Sequence, residues 1–194
     1  VETRGYYYAW IALLKEDQII ESVFHEGFNG GFEIMEKRLR SGNAPFCARK
    51  TLESGGLHVI EDPSVDCPDC PLASEYGGQS GFTMRLQHEN RMFGWLSVSI
   101  PKNYARDPKE RELFTDLVND LALALSNLES EEQIHRLNQI VNTIHQPMSL
   151  VSSAYRYLAV NETYADLFLK NREDIVGHTI EDLCGKTIFE SEIK

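Results

Sequence analysis

Lysine and arginine are scarce in this chain. Nineteen of them stand against thirty aspartates and glutamates, a formal net charge of −11 over 194 residues. A surface of that sign repels phosphate backbones, so nucleic acid is not expected as a partner. Long apolar runs are also missing. The longest, YYYAWIALL, falls well short of the roughly 20 residues that span a bilayer. No membrane segment is therefore expected in this stretch. The opening VETRGYYY has no basic n-region, apolar h-region and cleavage site, and no initiator Met. The chain thus reads as a piece of a longer protein. Cysteine is limited to four residues, and without a secretion signal these are expected to be reduced thiols in a cytoplasm.

Catalytic signatures are missing as well. There is no Gly-rich loop before a Lys, no nucleophile elbow and no His-Glu-x-x-His, and Gly27-Phe-Asn-Gly-Gly31 lacks dinucleotide spacing. No enzymatic activity is expected in this piece. His135 lies on a polar helix face and reads as a surface histidine.

What is present is an ordinary globular composition, 42% hydrophobic and 25% charged. Tyr6 to Leu14 predicts a strand apolar on both faces, with Tyr6, Tyr8, Trp10 and Ala12 on one and Tyr7, Ala9, Ile11 and Leu13 on the other. Such a strand belongs in the middle of a covered sheet. Lys15-Glu16-Asp17 is a polar turn, and Ile19 to His25 predicts a hairpin partner. Phe32, Ile34, Met35 and Leu39 form the apolar stripe of one short helix, and Phe46 to Glu53 forms another, closed by Gly55-Gly56. Leu57 to Ile60 is a short strand. After a cysteine loop, Leu72 to Tyr76 predicts a helical turn.

The strongest hairpin pairs Phe82–His88 with Met92–Ile100. Period-two alternation sets Phe93, Trp95, Ser97 and Ser99 on one face of the second strand and Met92, Gly94, Leu96, Val98 and Ile100 on the other. Asp107-Pro108 then opens a helix expected to run to Gln146, about 60 Å at about 1.5 Å per residue. Leu113, Leu117, Leu121, Ala124 and Leu128 form one seam. Ile134, Leu137, Val141 and Ile144 form a second, out of phase with the first. Such a helix needs a partner outside its own domain, and a homodimeric coiled coil over 107–146 is expected. Pro147 ends it. Met148–Val151, Tyr155–Val160 and a short helix over Glu162–Leu169 then begin another module with too few strands to close a sheet. The expected domains are 1–106, a helical linker over 107–146, and 147–194.

Several of these stretches resemble known families. Gly5-Tyr-Tyr-Tyr-Ala-Trp-Ile-Ala, Ala48-Arg-Lys-Thr-Leu-Glu-Ser-Gly, the cysteine loop, Phe93-Gly-Trp-Leu-Ser-Val and Asp116-Leu-Val-Asn-Asp-Leu-Ala-Leu-Ala resemble a GAF domain of bacterial and archaeal sensor kinases. Residues 140–194 resemble the first half of a PAS domain, through Ile144–Val151, Arg156-Tyr-Leu-Ala-Val-Asn161-Glu-Thr-Tyr and Glu173-Asp-Ile-Val-Gly177. The resemblance implies an α+β fold, an antiparallel sheet with helices on both sides, a ligand pocket on one face and dimerisation through terminal helices. Most of the usual first GAF helix and the last three PAS strands are missing, as are the cyclic-nucleotide signature and the phytochrome-type chromophore motif. The resemblance implies a sensory module of a histidine kinase that reads a small ligand or redox state and signals through the helix. A protein-interaction module without a small ligand and a thiol redox protein are the competing classes.

The chemistry-bearing stretch is DCPDCP, Asp66–Pro71. Cys67 and Cys70 are spaced to aim two sulfurs at one spot, but a closed zinc site needs four ligands and only Cys47, His58 or His88 offers itself nearby in sequence. Pro71 rules out the covalent haem pattern Cys-x-x-Cys-His. A helix starting at Pro71 would lower a thiol pKa, and two buried thiols packing as small apolar groups is the plain alternative. By resemblance, related GAF sensors hold haem through such a loop, so haem is the first cofactor to consider and zinc the second. Tyr6, Tyr8, Trp10, Phe82, Phe93 and Trp95 are the expected aromatic lining of a pocket, or simply core.

Overall fold

The computed structural model describes residues 6–15, 17–28 and 30–193, with side chains of 192 and 193 left aside. Gly5, Glu16, Asn29 and Lys194 from the motifs above lie outside the described residues. The chain forms two compact units, Val1–Leu128 and Glu129–Lys194.

The first unit is mixed α+β, built on an antiparallel five-stranded sheet in the order β2-β1-β5-β4-β3. Its elements are β1 (Ala9–Leu14), β2 (Ile20–Glu26), α1 (Phe32–Arg40), α2 (Phe46–Ser54), β3 (His58–Ile60), a single turn α3 (Pro63–Asp66), β4 (Ser80–His88), β5 (Arg91–Ile100), α4 (Lys102–Ala105) and the start of α5 (Pro108–Thr143). β1 lies inside the sheet, between β2 and β5, as its two apolar faces require. Trp10, Ala12 and Leu14 pack on one side with α1 and α2, while Ala9, Ile11 and Leu13 pack on the other with Phe114, Val118 and Ala122 of α5. The strand starts later than expected, at Ala9, and Tyr6 escapes its alternation. It packs on the α5 side, where its hydroxyl donates to Glu110 Oε1 at 2.8 Å.

α2 ends at Gly55, which sits at φ 77, where a side chain would be strained. Two expectations along this stretch do not hold. Ile34 points to solvent, because Phe32, Met35 and Leu39 already fill the stripe that α1 buries. Leu72–Tyr76 forms turns rather than a helix. The helical turn beside Cys67 and Cys70 is α3, which precedes them, with Asp62 accepting from the Ser64 N–H and Pro63 at its first position.

Gly94 corrects the alternation read along β5. Leu86 pairs with Gly94 but Gln87 pairs with Met92, so Phe93 is an extra residue bulged out of register. Gly94 itself adopts φ +142, and a Cβ there would lie 1.8 Å from the Ala12 carbonyl oxygen. The bulge inverts the phase of the strand. Phe93 turns to the α5 side, Met92 packs on the opposite side, and only from Trp95 onward does the expected pattern resume.

The second unit holds the end of α5, a two-stranded hairpin β6 (Ser149–Val151) and β7 (Tyr157–Val160), α6 (Glu162–Leu167), a 3-10 turn at Arg172–Asp174, and α7 (Ile180–Cys184). Its small core gathers Tyr157, Val160, Ala165 and Ile175. The helix α5 stops at Thr143, earlier than the expected Gln146. Pro147 disfavours helical geometry at the residue before it. The exposed carbonyls of the last turn then find a side-chain donor. Asn161, fully buried, donates Nδ2–H toward the carbonyls of Gln146 at 2.8 Å, Ile144 at 3.3 Å and Val141 at 3.4 Å. Its Oδ1 accepts from the Met148 and Tyr164 amides at 2.9 and 3.0 Å. One amide side chain therefore closes α5, starts the hairpin and caps α6.

Candidate functional site

The sheet of the first unit has two chemically different faces. The α5 face is apolar: Phe82 lies 5.4 Å from Phe114, ring to ring, within a cluster of Met84, Leu86, Val98 and Ile100. Of the aromatics expected beside Trp10 and Trp95, Tyr6 and Phe93 lie on this face, and so does Phe82. The structure places Phe82 on the side opposite the two tryptophans, because the antiparallel register pairs it with Val98 and not with an odd-numbered residue of β5. It is a core residue of the α5 face, fully buried.

The other face gathers the remaining candidates. Tyr8, Trp10, Trp95, Cys47, Cys67 and Cys70 share one cluster with Met35, Leu39, Leu72 and Tyr76. Tyr8 stacks on Phe28 at 5.0 Å. Beneath these apolar groups lies a polar seam that the hydropathy pattern hides. Thr83 and Ser97, cross-strand neighbours, share a hydroxyl–hydroxyl hydrogen bond of 2.8 Å. Ser97 and the Trp10 indole both interact with the hydroxyl of buried Tyr76, and Thr83 interacts with the Cys47 thiol. Ser99 accepts the Tyr8 amide at 3.0 Å. The Trp95 indole N–H is buried here with no hydrogen-bond partner among the described residues. An orphaned buried donor costs about 1–3 kcal/mol, so a partner for it would be stabilising. None of Thr83, Ser97, Ser99 and Tyr76 was singled out from the sequence. The signal for three of them was there: serine and threonine on the covered face of a central strand pair, where Val or Ile packs more cheaply.

Cys67, Cys70 and Cys47 line a cavity of about 190 Å³ together with Arg38, Phe46 and Arg49. A turn closed by the Cys70 N–H to the Cys67 carbonyl, at 2.9 Å, holds the pair. Cys67 sits at the carboxyl end of α3 rather than at a helix amino terminus, so the expected activation of the thiol is reversed. Burial pushes the Cys47 thiol up to about 11 and that of Cys67 to about 12. Cys70 is also raised by burial, and the Leu72 amide, then the Arg38 guanidinium, offset part of the effect. Arg38 is held at the turn by a 2.7 Å hydrogen bond to the Asp69 carbonyl. Tyr76 is raised by burial too.

His58 lies on β3 opposite Thr83, edge-on to Phe46 at 6.0 Å, with its pKa lowered by burial. Among the described residues, no group of three or more His, Cys, Asp or Glu side chains is arranged to hold a metal ion. The four cysteines are free thiols, and Cys184 lies in the second unit, away from the other three in sequence. Among the described residues, no helix is long and apolar enough to cross a membrane.

The outer side of α5 is the second feature of note. Leu113, Leu117, Leu121 and Leu128 are 47%, 44%, 36% and 62% exposed, whereas Phe114, Val118 and Ala122, one position on, are buried against the sheet. Ile134, Leu137 and Ile140 are exposed as well.

No protein-family model matches the sequence, and no curated protein matches it. Solved structures similar to this chain include the GAF domain/HD domain protein from Geobacter sulfurreducens, at 13% identity and a TM-score of 0.47, covering 64% of this chain and 83% of that one. The GAF domain of the cyanobacteriochrome TePixJ is similar at 14% identity and a TM-score of 0.46, over 63% of this chain and 79% of that one. A chain of the E. coli DhaR(N)–DhaL complex is similar at 14% identity and a TM-score of 0.35, with 90% of this chain covering 60% of that one. Structures similar to this chain thus include GAF domains.

Proposed function

We propose that this chain is a sensory module of a signalling protein, with its input at the cysteine-bearing face of the sheet and its output in α5. The first unit acts as a GAF-type sensor, α5 as a homodimeric signalling helix, and the second unit as the opening part of a PAS-type fold. The parent protein is a sensor histidine kinase working in the cytoplasm. The piece itself catalyses nothing.

The observation that carries this reading is the division of the sheet's two faces. One holds a buried polar seam, an unpartnered Trp95 donor and a thiol cavity. The other is clamped by a helix whose far side shows a leucine stripe to solvent. A small acceptor entering the first face would engage the Trp95 indole and shift the strands that α5 packs on. The stripe supplies what two copies need for a helical interface. Its break at Glu129–Glu132 gives two out-of-phase seams, which suits an element with two packing registers of similar stability.

Site-specific photocross-linkers at positions 128 and 137 test the reading. Covalent dimers are expected from both positions, with a yield ratio that changes when the cysteine face is perturbed. A chain that sediments as a monomer at tens of micromolar and gives no cross-links overturns it. Constant yields in every state would leave only a dimerising interaction module.

A further inference from the structure

We infer that Cys67 and Cys70 form a reversible intrachain disulfide, with Cys70 as the thiol that a hydroperoxide attacks and Cys67 as the thiol that resolves it. The geometry of the turn carries the inference. Cys67 and Cys70 occupy its first and fourth positions, with Pro68 second, and the Cys70 amide bonds the Cys67 carbonyl at 2.9 Å. The ends of such a turn lie within about 7 Å of each other. A disulfide joins α-carbons about 4.4–6.8 Å apart, so the bond closes without unfolding the loop.

The two thiols are not equivalent. Cys70 is half-buried and Cys67 is buried in the cluster with Leu39 and Leu72. Both open onto the cavity of about 190 Å³, which has room for a small peroxide. Arg38, pinned to the Asp69 carbonyl, stands beside Cys70 and favours its thiolate, and Arg49 adds a second positive charge to the wall. A partly exposed thiol beside a fixed guanidinium, with a second thiol behind it, has the layout of an oxidisable pair.

The steps balance. The Cys70 thiolate attacks the peroxide oxygen and breaks the O–O bond. The sulfur becomes a sulfenic acid, and the peroxide leaves as an alcohol, or as water from hydrogen peroxide. The Cys67 thiolate then attacks the Cys70 sulfur and expels hydroxide, which takes up the Cys67 proton as water. Two thiols and one hydroperoxide give one disulfide, one alcohol and one water. The two electrons pass from sulfur to oxygen, and a dithiol reverses the change.

This inference rests on the sensory reading for its use, though not for its chemistry. The turn leads directly into Leu72 and Tyr76, which is where the cluster meets Trp10 and Ser97. Both tryptophans of the chain lie in that cluster, so their emission reports what the bond does to it.

The test treats the full chain with hydrogen peroxide and maps thiols by mass. The tryptic peptide Thr51–Arg85 contains Cys67 and Cys70 and neither of the others. It is expected to lose 2 Da, to regain them with dithiothreitol, and to do so together with a change in tryptophan emission. Before closure, dimedone should label Cys70 and not Cys67. In Cys67→Ser, Cys70 should persist as a sulfenic acid. Because Cys67 is buried, that variant is read only if its far-ultraviolet spectrum is native, and dimedone labelling of the unmutated chain decides otherwise. Bridges through Cys47 or Cys184, labelling of Cys67 first, or thiols inert in the native chain at peroxide levels that oxidise it in urea would each overturn the assignment. A bridge that forms while the photocross-links at 128 and 137 stay unchanged keeps the disulfide and removes it from the sensory mechanism.

Discussion

Replacing Leu117 and Leu121 together by serine separates the two stripes of α5 in one experiment. Each is about two-fifths exposed in the single chain, while Val118 beside them is fully buried. Burying a whole leucine side chain is worth about 1.5–3 kcal/mol. Covering the remaining two-fifths in a dimer is therefore worth about 0.6–1.2 kcal/mol per side chain. Two positions in two copies give four side chains, or about 2.5–5 kcal/mol of dimer stability. At about 1.4 kcal/mol per tenfold, the double variant should weaken the dimer about 60-fold to 3,000-fold. Within one chain the serines also give up the buried three-fifths of each leucine, so the fold should lose about 2–3.5 kcal/mol. Val118→Ala is the mirror case. It should destabilise the fold by about 1–3 kcal/mol through the cavity it leaves and change the dimer constant little. Sedimentation equilibrium reads the first quantity and urea unfolding of the dissociated chain the second. The reasoning is refuted if the double variant dimerises as tightly as the parent, or if Val118→Ala dissociates the dimer while leaving the fold intact.

Other perturbations test the fold around the site. Gly94→Ala should destabilise the first unit by at least about 3 kcal/mol, since its Cβ would meet the Ala12 carbonyl at 1.8 Å; a urea midpoint close to the parent's would disprove the bulge. Asn161→Ala should cost the second unit about 2–4 kcal/mol by stranding the carbonyls of the α5 end and the amides of Met148 and Tyr164, seen as faster hydrogen exchange at residues 148 and 164. Stability should also fall in alkali. Cys47 and Cys67 titrate at 9.0 when unfolded and near 11 and 12 when buried, so the stabilisation is complete below about pH 9 and is lost as the pH rises toward 11 and 12. For Cys47 alone the loss approaches about 3 kcal/mol at about 1.4 kcal/mol per pH unit. Cys47→Val should flatten part of that fall, and a flat profile in the parent from pH 9 to 11 would show that solvent reaches these thiols.

The elements were legible where period and punctuation agreed. β1 is apolar at every position, and only a covered central strand buries both sets, so Trp10 and Ile11 announced the two-sided sheet. Gly55 and Pro108 marked helix ends because each has a backbone preference that one geometry satisfies. What could not be read was anything decided by a single residue acting at a distance. Phe93 follows its strand's alternation in sequence, and only the close approach of Gly94 to Ala12 on a neighbouring strand turns it over. Phe82 was misplaced for a related reason: its face depends on which residue of β5 it opposes. The buried and exposed stripes of α5 differ by one position, Phe114 against Leu113, and both step by four. Period alone does not say which of two adjacent stripes meets the sheet.

The same limit governs the candidate site. Cys67 and Cys70 were conspicuous, yet the sign of their perturbation depends on which end of a helix they occupy. Pro71 reads as a helix start, but Asp62-Pro63 upstream is the better cap and takes the helical turn, which leaves Cys67 at its carboxyl end and Cys70 in the turn beyond. A thiol there is not activated by a dipole, and burial makes it a poorer nucleophile still. At Cys70 the Leu72 and Ala73 amides and the Arg38 guanidinium work against that burial, and of these only Arg38 brings a full charge that a substitution can remove. Arg38 stands 29 residues before Cys67 and on another helix, and its 2.7 Å bond to the Asp69 carbonyl holds its charge beside the Cys67–Cys70 turn. Arg38→Met should therefore slow peroxide oxidation of Cys70 about tenfold or more while leaving alkylation of Cys184 unchanged. Equal slowing at both thiols would mean that the arginine acts through the fold and not through its charge.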